Sequence, residues 1–267
     1  MEQGYDIFCD GITVKYYADC ECYENTNTDH CHDIYEITYL LSARGKYIIE
    51  GSEHSAVPGM LLLISPMSYH RVELDSDRVS EGYTIYFSRE SLSSSVVGML
   101  DRITAGGENH GLIFSQNLVS DHLSSCFERF SLALKFDECE KAAYMQAVLS
   151  EIVILLSATE GERIARSEDE LGARVAEYIN SNIDRSISLD RLARRFFVSK
   201  YYLCRAFKNY AGTSPHAYIN QKRIIYAKQL IDSGMTASKA AERVGFGDYS
   251  AFYRAYTKIV GKSPTAD

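Results

Sequence analysis

"LDRLARRFFVSKYYLCRAFKNYAG", residues 189–212, decides how the C-terminal part of the chain is read. It reads as a short helix, a tight break and a second helix ending at Gly212, a favourable C-cap residue. Ser188 and Ser199 stand where N-caps belong. Ala193, midway in the first helix, is small enough to let the two helices cross closely. Val198, at the break, is placed to plug the crossing. "TASKAAERVGFGDYSAFYRAY", residues 236–256, repeats the plan, with Ala241 as the small residue, Phe246 at the turn and Asp248 as the cap. The pattern is a helix-turn-helix written twice.

Working outward, "SPHAYINQKRIIYAKQLIDSG" lies between the two pairs, with Pro215 in its first turn and Gly234 past its end. Residues 215–231 would span roughly 25 Å as a helix. That suits a strut holding two recognition helices about one DNA turn, ~34 Å, apart. "LGARVAEYINSNI" adds a helix in front, so everything from about residue 171 is expected to be helical.

Charge divides the chain at the same place. The 267 residues carry a net charge of −8, but residues 171–267 hold 16 basic and 7 acidic groups, and residues 1–170 hold 12 and 29. The basic third is the part suited to a polyanion. Hydrophobic content of 46% and charged content of 24% fit a globular protein. The longest apolar run, "AVLSEIVILLSA", is too short for a membrane span and contains Glu151. The acidic, polar N-terminus is not a secretory signal, so the expected compartment is the cytoplasm. Seven cysteines, an odd number in a chain of this length, argue against a disulfide framework. Cys20, Cys22 and Cys31 are close in sequence, but Cys-x-Cys is tight for a tetrahedral zinc site.

The acidic part reads first as strands. "YEITYLLSARGKYIIEG", "VPGMLLLISPMSYHRVEL" and "EGYTIYFS" are short β-rich runs punctuated by Gly and Pro, as in a sandwich or barrel. From about residue 91 the apolar spacing turns helical, over 118–134 and 142–156. The charged stretch "TEGERIARSEDE" reads as a linker. The expected fold is α+β: a barrel over 1–90, a helical dimerisation segment over 91–160, a linker over 161–170 and an all-α double helix-turn-helix over 171–267, with two pairs joined by a linker helix.

"HCHDIYE", residues 30–36, raises a separate question. Histidine and glutamate are common metal ligands. On a strand, His30, His32, Glu36 and Thr38 would share one face. His70 closes the later run "PGMLLLISPMSYH".

In the C-terminal hundred residues the chain resembles the AraC/XylS family of transcriptional regulators. Leu192-Ala193, Ser199, Leu203, Arg205, Phe207-Lys208, Gly212, Ser214-Pro215, Arg223, Val244-Gly245-Phe246, Phe252, Arg254, Gly261 and Ser263-Pro264 fall in register. The resemblance implies a first recognition helix presenting Tyr201, Cys204 and Arg205 to bases, with Ser199, Lys200 and Lys208 near the backbone. It implies a second presenting Tyr249, Ser250, Tyr253 and Arg254, with Lys258 on the backbone. Arginine is the strongest base reader, because its planar fork addresses guanine O6 and N7 together. Tyr202 and Tyr256 are expected in the core. The chain departs from the family where Ala237 and Ala240 replace larger aliphatic residues, and after Pro264, where Tyr-Arg is usual. Both departures imply a weaker second reader.

The N-terminal pattern His-x-His, a Glu four residues on, then Pro-Gly and a later His, resembles cupins, small β-barrels that hold a metal or a small ligand. By that resemblance His30, His32, Glu36, Thr38 and His70 line an effector site. Metal-using cupins bind through the set His30, His32, Glu36 and His70, so three readings stay open: effector lining, metal ligands, or structural polar residues. The leading expectation is a cytoplasmic, dimeric, sequence-specific DNA-binding regulator that responds to a small molecule, a sugar or related metabolite, without a cofactor and without a membrane. The alternatives are a metal-dependent cupin enzyme fused to a DNA-binding domain, and an effector-independent DNA-binding protein. No nucleophile triad, phosphate-binding glycine loop or cofactor fingerprint stands in the sequence.

Overall fold

A computed structural model describes residues 4–18, 29–42, 44–75, 80–105, 110–164 and 171–265. Cys20 and Cys22 of the cysteine cluster and positions 165–170 of the expected linker lie outside the described residues. The chain divides into two compact units, with the main boundary between residues 165 and 166.

The N-terminal unit contains β1 (Gly4–Cys9), β2 (Ile12–Tyr17), β3 (Tyr35–Leu40), β4 (Gly45–Ile49), β5 (Ser52–Ala56), β6 (Leu61–Ile64), β7 (His70–Leu74), β8 (Gly82–Phe87), β9 (Gly111–Phe114) and β10 (Glu162–Arg163). They form one sheet in the order β1-β2-β8-β3-β6-β9-β10 and a second in the order β5-β4-β7. Period-2 alternation sorts the strands onto two cores. Tyr35, Ile37 and Tyr39 of β3 join Leu61, Leu63, Tyr83, Ile85 and Phe87 in a cluster shared with three helices. These are α1 (Ser94–Thr104), α2 (Asp121–Arg129) and α3 (Glu138–Ser157). Leu40, Leu62 and Ile64 face the other way, against Tyr47, Ile49 and Val72 of the small sheet. Glu36 and Thr38, on the same side of β3 as Leu40, thus point between the sheets.

The helical spacing over 118–134 and 142–156 corresponds to α2, a following 3-10 stretch, and α3. Asp137 caps α3 through a reciprocal capping box with Glu140. Three elements went unread in the sequence: α1, whose serine-rich start hides its period; β9, which lies inside the segment expected to be helical; and β10, which lies in the stretch expected to be a linker and pairs with β9. β9 is fixed by pairing with β6, about fifty residues earlier in the chain.

The C-terminal unit is helical, as expected: α4 (Leu171–Asn180), α5 (Leu189–Arg195), α6 (Lys200–Ala211), α7 (Pro215–Asp232), α8 (Ala237–Arg243) and α9 (Tyr249–Val260). Ser188, Ser199, Ser214 and Asp248 each accept a backbone N–H at a helix start. Gly212 and Gly261 end α6 and α9 in the left-handed conformation, at φ 70° and 80°. Ala193 and Ala241 are buried, as close crossings demand. In the second pair Ala237 and Ala240 are buried too, in a cluster with Ile224 and Ala227 of α7, Ala241, Val244, Phe252 and Tyr256.

One side chain ties the two pairs together. Arg223, on the strut α7, is buried. Its guanidinium donates to the carbonyls of Ile183 and Arg185 ahead of α5 and of Gly245 at the turn of the second pair. Burial lowers its pKa, and three carbonyl acceptors take one N–H from each of its three nitrogens.

Candidate nucleic-acid interface and ligand site

The two capped helices carry the same register. In α6, Leu203 and Phe207 are buried four and eight residues after the cap Ser199, and Arg205 is exposed at six. In α9, Phe252 and Tyr256 are buried four and eight residues after Asp248, and Arg254 is exposed at six. Each helix therefore turns one stripe to its core and sets an arginine on the outward face. Ser199, Lys200, Tyr201, Arg205, Lys208, Tyr249, Ser250, Tyr253, Arg254 and Lys258 are all exposed, and Cys204 is half-buried. Lys200 pairs with Asp190 of α5 at 2.7 Å, so its charge is shared before any phosphate arrives.

Tyr256 is in the core, as read, but Tyr202 is not: it is 56% exposed. The buried stripe of α6 runs through Leu203, Phe207, Tyr210 and Ala211, and Tyr202 sits about 100° away from Leu203. Sequence reading also missed Phe197. It is 95% exposed, in the left-handed region at φ 55°, at the turn before α6. The available signal was a pair of adjacent phenylalanines at the turn, of which only one can face the core.

In the N-terminal unit β3 and β7 bring Glu36 and His70 together, both buried, at 3.3 Å. Thr38 donates to Glu36 at 2.9 Å and lies 3.4 Å from Thr84 of β8. Burial alone would lower the His70 pKa. The Glu36 hydrogen bond and charge, the Ser68 carbonyl and Glu50 together reverse that, and the net shift is upward. The Glu36 charge, together with burial, pushes the Tyr86 phenol far up. Thr84 and Tyr86 were not picked out from the sequence, although they share a face by strand alternation. Glu50, at a left-handed φ of 44°, accepts the Tyr69 N–H at 2.9 Å.

Regular strand begins at Tyr35, not at His30, so the shared strand face expected from residue 30 holds only for Glu36 and Thr38. His30 and His32 still come together, ring centroids 5.9 Å apart. Residues 29–33 group with the C-terminal unit, whereas Glu36 and His70 belong to the N-terminal one. His70 Nδ1 lies 3.0 Å from the Ser68 carbonyl and donates to it. In a neutral ring that bond sets the tautomer with the Nε2 lone pair on the Glu36 side, the arrangement metal-binding histidines use. Imidazole and carboxylate are donors that a divalent ion takes.

A sensor-type β unit followed by paired, outward-facing helices in a basic unit defines a ligand-responsive DNA-binding regulator. Residues 17–168 match the model of the AraC-like ligand-binding domain, and residues 192–266 match a helix-turn-helix domain. The chain belongs to the AraC family of transcriptional regulators. It is 26% identical over 226 residues to the HTH-type transcriptional regulator YbfI of Bacillus subtilis, covering 83% of this chain and 80% of that one. It is 24% identical over 242 residues to the transcriptional activator RhaS of Yersinia pestis, covering 88% and 87%. The crystal structure of ToxT from Vibrio cholerae aligns over 98% of this chain and 94% of that one, at 13% identity and a TM-score of 0.40. The protein is an effector-responsive, DNA-binding transcription regulator. No helix among the described residues is long and apolar enough to cross a membrane.

Proposed function

We propose that α6 and α9 each read one half-site of double-stranded DNA, with Arg205 and Arg254 as the principal base readers. Their identical distance from a helix cap, on outward faces of a unit with excess positive charge, carries this reading. Tyr201, Cys204, Tyr249, Ser250 and Tyr253 flank the two arginines. Ser199, Lys200, Lys208 and Lys258 meet phosphates, which position the protein without reading sequence. The regulator acts in the cytoplasm, as a homodimer. Leu134 and Ile154, exposed on the helical layer at 54% and 44%, mark the surface for a second copy.

The effector is a hydroxyl-bearing metabolite, such as a sugar, bound against Glu36, Thr38 and His70. A buried carboxylate beside a hydroxyl and an imidazole offers acceptors and donors within one small volume. Thermal denaturation of the full chain against a metabolite panel tests this. At least one compound should raise the midpoint, and Glu36→Gln should abolish that rise. A panel in which nothing shifts the midpoint, or a shift unchanged in Glu36→Gln, contradicts it. The resemblance to metal-using cupins, with His70 and Glu36 side by side, favours a second reading, a divalent ion held by His30, His32, Glu36 and His70. When bound, it would supply a Lewis-acidic anchor for an effector oxygen. Stoichiometric metal in the purified protein, lost in His70→Ala, would establish it.

A further inference from the structure

The two faces of α4 are used very differently. Gly172, Ala173, Val175, Ala176 and Ile179 are buried. Gly172 faces Tyr210 of α6 so closely that an added Cβ would sit 2.3 Å from the tyrosine Cβ. Arg174, Glu177, Tyr178 and Ser181 recur at helical spacing on the opposite side, away from α6. Together with Arg185, Arg191 and Arg195 they line a cleft of 540 Å³ between α4 and α5.

The cleft combines two chemistries. Tyr178 and Phe196 meet edge to face, with centroids 6.2 Å apart. The Arg195 guanidinium lies 4.4 Å over the Tyr178 ring, and that of Arg174 lies 5.6 Å from the Phe196 ring. Arg191 donates to the Ser186 carbonyl, which orients its fork. Among the described residues none of these four arginines has a carboxylate within 4.0 Å, and Glu177 is the only acid lining the cleft. Four guanidinium groups around one cleft are suited to a polyanion, and their planar forks match phosphate oxygens in pairs. The volume falls in the range of small-ligand sites, about 300–1,000 Å³. The aromatic pair offers a stacking surface for a ring.

We propose that the cleft between α4 and α5 binds a phosphorylated, ring-bearing small molecule of mononucleotide size. The arginines hold the phosphate and the aromatic pair takes the ring. DNA phosphates share half of this chemistry, but the cleft lies on the side of α4 turned away from the reading helix α6. The site is separate from the barrel residues around Glu36 and does not depend on their role.

Calorimetric titration of the full chain with AMP, ATP and inorganic phosphate tests the proposal. The nucleotides should bind saturably and at least tenfold more tightly than phosphate. Arg191→Gln combined with Arg195→Gln should weaken them at least tenfold, as should Arg174→Gln, a single exposed change that serves if the double variant unfolds. Tyr178→Leu should narrow the gap between nucleotide and phosphate. Three results would each overturn the proposal: no saturable nucleotide binding, binding undiminished in the arginine variants, or equal affinity for nucleotide and phosphate. Arginine variants that lose only DNA affinity would make the cleft a backbone contact and also overturn it.

Discussion

Phe197 shows most sharply what a single residue reveals about function. A bulky side chain at φ 55° and 95% exposed contributes no packing and holds a backbone conformation that disfavours L residues by about 1–2 kcal/mol. Phe197→Gly relieves that strain while adding unfolded-state entropy, so it should raise stability by roughly 0.5–1 kcal/mol. Chemical denaturation of the two proteins measures the difference; a less stable glycine variant would show that the ring is held by contacts of its own. At this scale the sequence was readable wherever a residue has one physical use. Ser188, Ser199, Asp248 and Gly212 were legible as caps because only a few residue types satisfy free helix termini. Tyr202 was misread because tyrosine is at home both inside and outside, and only the phase of α6 decides. His30 and His32 were expected on a strand, but alternation cannot say where a strand begins.

At the scale of elements, the strut α7 ties the two helix-turn-helix pairs together through Arg223. Gly245 makes this possible: at φ 83° it takes a conformation open to glycine, and an added Cβ would lie 2.8 Å from the Arg223 guanidinium. Gly245→Ala should therefore cost about 2 kcal/mol, read as a lowered denaturant midpoint. A neutral effect would mean that Arg223 swings aside without loss. In the other unit, Glu151 of α3 joins α2 to α3 by accepting from Arg129 and pairing with His122 at 2.9 Å. The Arg129 hydrogen bond holds the Glu151 pKa below its usual 4.5. A carboxylate lowered in the folded state stabilises above its unfolded pKa, and that contribution disappears as pH falls through the folded value. Wild type should thus be more stable than Glu151→Gln at pH 7, with the gap closing below about pH 4.5. A gap independent of pH would assign the effect to packing. Long helices were legible here because their apolar period repeats. β9 was not: four apolar residues carry no period, and its partner β6 is remote in sequence.

Across the whole molecule, composition carried more than any motif in the N-terminal part. The opposed charges of the two regions suit the basic third to a polyanion, and the repeated helix-turn-helix makes that polyanion DNA. The effector site stayed ambiguous in sequence because two histidines and a glutamate are equally the vocabulary of metal binding, hydrogen bonding and plain core polarity. In the structure Glu36 is buried beside His70 and Thr38, between two sheets. The central claim is that α6 and α9 read separate half-sites joined by a fixed strut. Footprinting on DNA selected from a random pool tests it most directly. Two protected tracts about one helical turn, ~10 bp, apart are predicted. Arg205→Ala should relax base preference in one tract and Arg254→Ala in the other, each at about 1–3 kcal/mol. A single protected tract, or equal loss of affinity for every DNA sequence in both variants, would contradict the account.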